Sequence, residues 1–100
     1  MGVEPQKPNT VLIGKKPAIN YVTAIVKLFN EDEMEEVVVK ARGRNVCRAI
    51  EAIEMLKNMF LKDIEFHKVN IYSEELVDDK GNKRKVVAIE VVLRRGKAGS

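Results

Sequence analysis

The sequence is 100 residues long, 45% hydrophobic and 33% charged, with a formal net charge of +3, which describes one domain with a modest single core. No apolar run approaches the ~20 residues of a membrane span, no basic-then-apolar signal leads the chain, and a lone Cys47 cannot form an internal disulfide, so a cytosolic protein is expected. The mild net charge averages an uneven distribution: five acids crowd positions 31–36, whereas basic clusters sit at 15–16, 40–48, 80–85 and 94–97. Outside the acidic segment the chain is strongly basic, the footprint of a partner such as nucleic acid.

In chain order, residues 1–9, with Pro5 and Pro8, read as a flexible arm. Val11-Leu12-Ile13 is a short strand, and Pro17, suited to the first position of a helix, fixes where the next element starts. Ala18, Tyr21, Val22, Ile25, Leu28 and Phe29 keep a helical period up to Asn30. The acidic run Glu31 to Glu36 is a solvated turn, because a bare acid run does not specify metal-ligand geometry. A β-branched strand follows from Val37 to Ala41. The second helical pattern runs from Val46 to Leu61, with Val46, Ala49, Ile50, Ile53, Leu56 and Phe60 on one face. Ala52, Met55 and Met59 widen that face beyond what a surface helix needs, so it either meets a second chain or packs between two elements of its own.

From Ile64 the pattern alternates. Ile64 and Phe66 share a phase that Val69 and Ile71 have lost by one residue, which predicts a bulge near His67-Lys68. The turn-rich stretch 77–83 and the apolar run Val86 to Leu93 complete a β-hairpin whose arms reach about ten residues, near ~34 Å. Its tip carries Lys80, Lys83, Arg84 and Lys85, and a cationic ribbon can enter a nucleic-acid groove. The plainer alternative is a solvated loop whose charges block edge pairing. Residues 96–100 read as a flexible tail after a single domain over 10–95.

Catalytic chemistry is not in evidence. His67 and Cys47 have no partner at catalytic or metal-ligand spacing, and Cys47 reads as a small, partly buried helix residue. Gly14-Lys15-Lys16 lacks the second glycine and the Ser or Thr of a nucleotide-hydrolase loop, and Gly43 lies in no paired-glycine fingerprint. No enzyme, cofactor, metal or small-molecule substrate is expected. What converges is cationic. Helix starts normally carry Asp, Glu, Ser or Thr, yet one here is preceded by Lys15-Lys16 and the other by Arg42-Gly43-Arg44, with Arg48 one turn on. An external anion resolves that conflict, since helix amides and guanidinium groups can share a phosphate. A β-α-β-α order makes the first two strands parallel neighbours and brings both helix starts to one sheet edge. Lys15, Lys16, Arg42 and Arg44 would then share a surface, with Asn20, Tyr21 and Asn45 within hydrogen-bonding reach. Arg48 is the weaker member.

The same residues carry a resemblance. Ile13-Gly14-Lys15-Lys16-Pro17, Asn20-Tyr21-Val22 and Lys40-Ala41-Arg42-Gly43-Arg44, in this order, closely resemble the Alba family of archaeal chromatin proteins, over about Asn9 to Arg95. The resemblance implies an α/β fold, an α+β two-layer sandwich of βαβαββ order with a long C-terminal hairpin arm, similar to the C-terminal domain of bacterial translation initiation factor three. It implies a homodimer that binds double-stranded DNA without sequence preference, binds RNA as well, and coats and compacts the chromosome. It assigns Lys15, Lys16, Tyr21, Arg42 and Arg44 to nucleic-acid contact, Lys15 to acetylation, and Phe60 to packing between dimers in arrays on DNA; Asn20 and Asn45 join that surface through the sheet-edge topology, and Lys83, Arg84 and Lys85 are expected to reach along a minor groove from the cationic hairpin arm. Lys57 and Met59 stand where relatives can carry arginines. Relatives of this fold also serve as architectural subunits of RNA-processing complexes, and a protein-binding module built on the apolar helix is a third possibility.

Overall fold

A computed structural model describes residues 8–96 of the chain. The elements are β1 (Thr10–Leu12), α1 (Ala18–Asn30), β2 (Glu36–Arg42), α2 (Asn45–Met55) with a π-turn over Leu56–Phe60, β3 (Ile64–Val77) and β4 (Lys83–Arg95). This is the expected βαβαββ order. The sheet order is β1-β2-β4-β3, with β1 and β2 parallel and the other neighbours antiparallel. Parallel pairing of β1 and β2 requires a crossover, which α1 supplies.

Strand alternation separates the two faces of the sheet. Val11 and Ile13, Val37, Val39 and Ala41, and Ile89, Val91 and Leu93 point to one side, where they form a single core with Tyr21, Val22, Ile25, Leu28 and Phe29 of α1 and Ala49, Ala52 and Ile53 of α2. Ile25, Leu56, Ile64 and Leu93 are among the largest fully buried side chains, each contributing about 1.5–3 kcal/mol through area removed from water. The other side carries ion pairs between cross-strand residues: Lys40 with Glu90 at 3.4 Å, and Arg94 with Glu36 at 2.9 Å.

The phase slip in β3 is a real bulge. Phe66 pairs with Leu93 and Lys68 with Val92, leaving His67 as the extra, exposed residue. The hairpin is longer than expected, with strands of 14 and 13 residues. Because β2 stops pairing with β4 at Arg42 opposite Ala88, the stretches 73–77 and 83–87 pair with each other and project as an arm, held at its root by the Gly43 N–H on the Val87 carbonyl. That arm helps draw the molecule out to 53 × 29 × 22 Å. Its tip is braced by Asp78, whose carboxylate accepts the backbone N–H groups of Lys80 (2.9 Å) and Asn82 (2.8 Å), while Gly81 takes the positive φ of 82° that the turn needs.

Several expected boundaries shift. Asn9 is not part of a loose arm, since its carbonyl accepts the Val38 N–H at 2.8 Å. Gly96 is likewise held, donating its N–H to the Asp63 carbonyl at 2.6 Å. Positions 1–7 and 97–100, the rest of the expected arm and tail, lie outside the described residues. The second helix does not stay α-helical to Leu61: its last turn widens, and the Leu61 N–H reaches back five residues to Leu56 at 2.8 Å. Cys47 is exposed rather than partly buried. Packing within the chain covers Ala49, Ala52, Ile53 and Leu56 but leaves Ile50, Met59 and Phe60 exposed.

Candidate nucleic-acid interface

Parallel pairing of β1 with β2 puts the β1–α1 turn (Ile13 to Pro17) beside the β2–α2 turn (Arg42 to Arg44). Neither helix that follows has a side-chain cap or an acid in its first turn. Their starting amides therefore meet no carboxylate from their own helix. Gly43 makes the second turn possible, with φ of 60° and an N–H that donates to the Val87 carbonyl at 2.7 Å. That bond also fastens the turn to the root of the hairpin arm.

The first turn is held from two directions. The Tyr21 hydroxyl oxygen accepts the N–H of Gly14 at 2.8 Å and that of Lys16 at 3.1 Å. A Cβ at Gly14 would lie 3.1 Å from that oxygen, so only glycine lets the phenol approach without displacement. From the other side, Arg48 Nη1 donates to the Gly14 carbonyl at 2.7 Å and to Asn45 Oδ1 at 3.3 Å. A charged donor makes these among the stronger hydrogen bonds available. Arg48 thus ties the two turns together, and part of the excess positive charge at the α2 start is spent on the Gly14 carbonyl dipole.

The turns enclose a shallow depression of about 590 Å³ lined by Lys15, Arg42, Arg44, Arg48 and Arg84, with Asn45, Leu76 and Val86 between them. Among the described residues no acidic side chain lines it. Arg84 enters from β4, so the arm contributes a cation to the same concavity as the helix starts. Strand alternation sends Lys83 and Lys85 to the opposite side of the arm, and both are exposed. Arg42 stands on a ridge. It also lines a second depression, with Lys40, Tyr72 and Glu74, and there its Nη1 lies 2.7 Å from Glu74 Oε2.

A third surface is apolar. Phe66, Val69 and Ile71 of β3 point to the helix side of the sheet, beyond the reach of α2, and remain exposed with Ile50 and Val87. Between α2 and β3 runs a groove of about 470 Å³ lined by Ile50, Ile53, Phe66, Val69, Ile89 and Val91, with Glu54 and Lys57 at its side.

A family model for Alba matches residues 9–74, the span that holds both turns and both helices. The chain belongs to the Alba family. Among curated relatives, the DNA/RNA-binding protein Alba of Methanocella arvoryzae is 42% identical over 92 residues, covering 92% of this chain and 95% of that protein. The protein of the same name from Methanoculleus marisnigri is 41% identical over 91 residues, with 91% and 98% covered. Among solved structures, Alba from Thermoplasma volcanium superposes with a TM-score of 0.81 at 32% identity, covering 87% of this chain and all (100%) of that one. Trypanosoma brucei ALBA1, at 22% identity and a TM-score of 0.74 over 93% of this chain and 74% of that one, shares the fold.

Of the residues expected at the interface, the depression brings together Lys15, Arg42, Arg44, Asn45 and Arg84. Lys16 is exposed on the adjoining turn, and Asn20, half-buried in the first turn of α1, lies outside both depressions. Tyr21 requires a correction: it is only 3% exposed, so it shapes the lysine turn from beneath and offers no free face to a ligand. Its place in the apolar period of α1 already pointed inward. Arg48, rated the weaker member, is the link between the turns. Glu74 was missed, because its contact crosses β4 and no spacing along the chain announces it. Phe60 is half-exposed beside Met59 at the end of the π-turn.

Proposed function

We propose that this protein binds double-stranded DNA, and RNA, through phosphate contacts without sequence preference, and that it does so as a homodimer. The single observation that carries this reading is the acid-free depression where Lys15, from the turn before α1, and Arg42, Arg44, Arg48 and Arg84 meet the uncapped start of α2. Phosphate contacts fix position and carry little sequence information. The depression supplies them from guanidinium groups, an ammonium group and helix amides. The arm, with Lys83, Arg84 and Lys85, reaches along an adjacent groove. The names of the relatives, DNA/RNA-binding proteins at 41–42% identity, support the same ligand class.

The homodimer reading is supported by the apolar stripe Phe66, Val69, Ile71 with Ile50, which water leaves at a cost that a second copy would remove. Two basic depressions per dimer would then face one duplex, Lys15 would be the acetylation point at which charge is removed, and Phe60 would serve contact between dimers. Coating and compaction of chromosomal DNA follow as the cellular role. The decisive measurement is affinity against salt for duplex DNA of several sequences and for folded RNA of equal length. If the dimer neutralises about six phosphates, log K falls with log salt at a slope of about −5. A slope near zero, or tight preference for one sequence, rejects the reading; strong preference for folded RNA moves the role to an RNA-processing complex.

A further inference from the structure

We propose that Glu74 is an affinity-determining residue of this interface, an internal competitor that holds Arg42 until a nucleic-acid phosphate takes its place. The proposal rests on the nucleic-acid reading above and concerns how that site sets its own strength.

Arg42 is the one cation that lines both depressions. On the side of Lys15, Arg44, Arg48 and Arg84 there is no acid. On the other side each lining cation has an acid partner, Lys40 with Glu90 and Arg42 with Glu74. The Arg42–Glu74 contact is the shorter of the two, at 2.7 Å against 3.4 Å. It reaches across β4, where Ala88 lies opposite both Arg42 and Tyr72. Ala88 is almost fully buried, and its single methyl leaves the room above it through which the guanidinium reaches β3. The same ion pair braces the arm, because Glu74 pairs with Val86, just past the last β4 residue held by β2.

A carboxylate and a phosphate oxygen offer a guanidinium the same kind of charge-assisted hydrogen bond. Both cannot hold Arg42 at full strength, and each repels the other. A phosphate entering the basic depression therefore gains from Arg42 only the difference between two similar contacts, whereas it gains the full contact from Arg44 or Lys15. Both side chains are partly open to solvent, with exposures of 54% for Arg42 and 36% for Glu74. The pair is thus weak enough to exchange.

The test compares Glu74→Gln with Glu75→Gln on a random-sequence duplex over a range of salt. The two variants change net charge equally, but Glu75 faces the other side of the arm, opposite Lys85. The expected result is that Glu74→Gln binds about threefold to tenfold more tightly at moderate salt, with a slope steeper by roughly one for each arginine released. Glu75→Gln should move affinity much less, and in an Arg42→Ala background the gain from Glu74→Gln should vanish. Equal effects of the two variants, or a gain that survives without Arg42, overturn the exchange. Thermal unfolding of each variant is read alongside: a lowered midpoint with weaker binding assigns Glu74 to bracing the arm and likewise overturns it. Wild-type protein without salt-dependent binding removes the underlying function as well, while normal wild-type binding with an inert Glu74 removes only this proposal.

Discussion

The edge where the helices begin and the face between α2 and β3 are both exposed, yet each lacks a different thing. The edge gathers cations around a concavity without acids, and its backbone is tightly specified: Tyr21 and Arg48 fix one turn, Gly43 the other. The α2/β3 face is a run of apolar side chains on regular secondary structure, with Lys57 at its side donating to the Ile64 carbonyl at 2.9 Å. A polar ligand needs donors held in place, so its site is built from turns locked by hydrogen bonds. An apolar partner needs only area and shape, so its site can be the uncovered remainder of a sheet.

Breaking the apolar side should have the largest effect. Ile71→Asp replaces a side chain that is 69% exposed, so the fold should survive it, exposed positions usually shifting stability by about 0.5 kcal/mol or less. If two copies meet there, light scattering will report a monomer, and duplex affinity will fall by about tenfold or more as one of two linked basic sites is lost. An unchanged mass and affinity would separate the apolar face from nucleic-acid binding altogether.

On the basic side, Tyr21→Phe keeps the ring in the core and removes only the acceptor for two amides. Leaving them unmatched costs about 1–3 kcal/mol, to be read as a lowered unfolding midpoint and as faster hydrogen exchange at Gly14 and Lys16. Affinity should fall with it, because the lysine turn loses its preset shape. Lys15→Gln is gentler: among the described residues no hydrogen bond depends on the ammonium group, so the midpoint should hold while affinity drops a few-fold and the salt slope flattens by about one per site. Affinity unaltered at moderate salt would remove Lys15 from the shared surface.

The smallest effect concerns the arm tip. Hydrogen bonds from Asn82 and Lys80 and the nearby Arg84 charge hold the Asp78 carboxyl below its ordinary pKa of 3.8. A depressed acid stabilises the folded form above its unfolded pKa and loses that contribution as pH falls through the lowered value. The tip should therefore be unaffected at neutral pH and loosen only below about pH 3.8, visible as exchange of the Lys80 and Asn82 amides before the core responds. Simultaneous loss of tip and core would show that the tip has no separate equilibrium.

Much of this was legible from local pattern. Pro17 and the period of α1 gave its limits, the phase slip between Phe66 and Val69 gave the bulge at His67, and the inverted charges before both helices gave the basic edge. Tyr21 shows how two signals on one residue can both hold. Its helical phase calls for burial and its polar end for a partner, and the ring satisfies the first while the hydroxyl satisfies the second. Arg48 was underrated because charge alone says nothing about a carbonyl 34 residues away. The short reach of α2 across the sheet was also hidden, since periodicity shows which side of a helix is apolar but not how much of it its own chain covers.

The sequence by itself determined the elements, their order, the family and the concentration of cations at two helix starts, because helix and strand periods, turn residues and caps act within a few positions of the chain. Only the tertiary structure decided that Arg84 joins those cations, that Arg42 is shared with Glu74 across an intervening strand, and that β3 keeps an apolar side uncovered. Those outcomes depend on strand order and register, where residues far apart in sequence become neighbours through the pleat of a sheet.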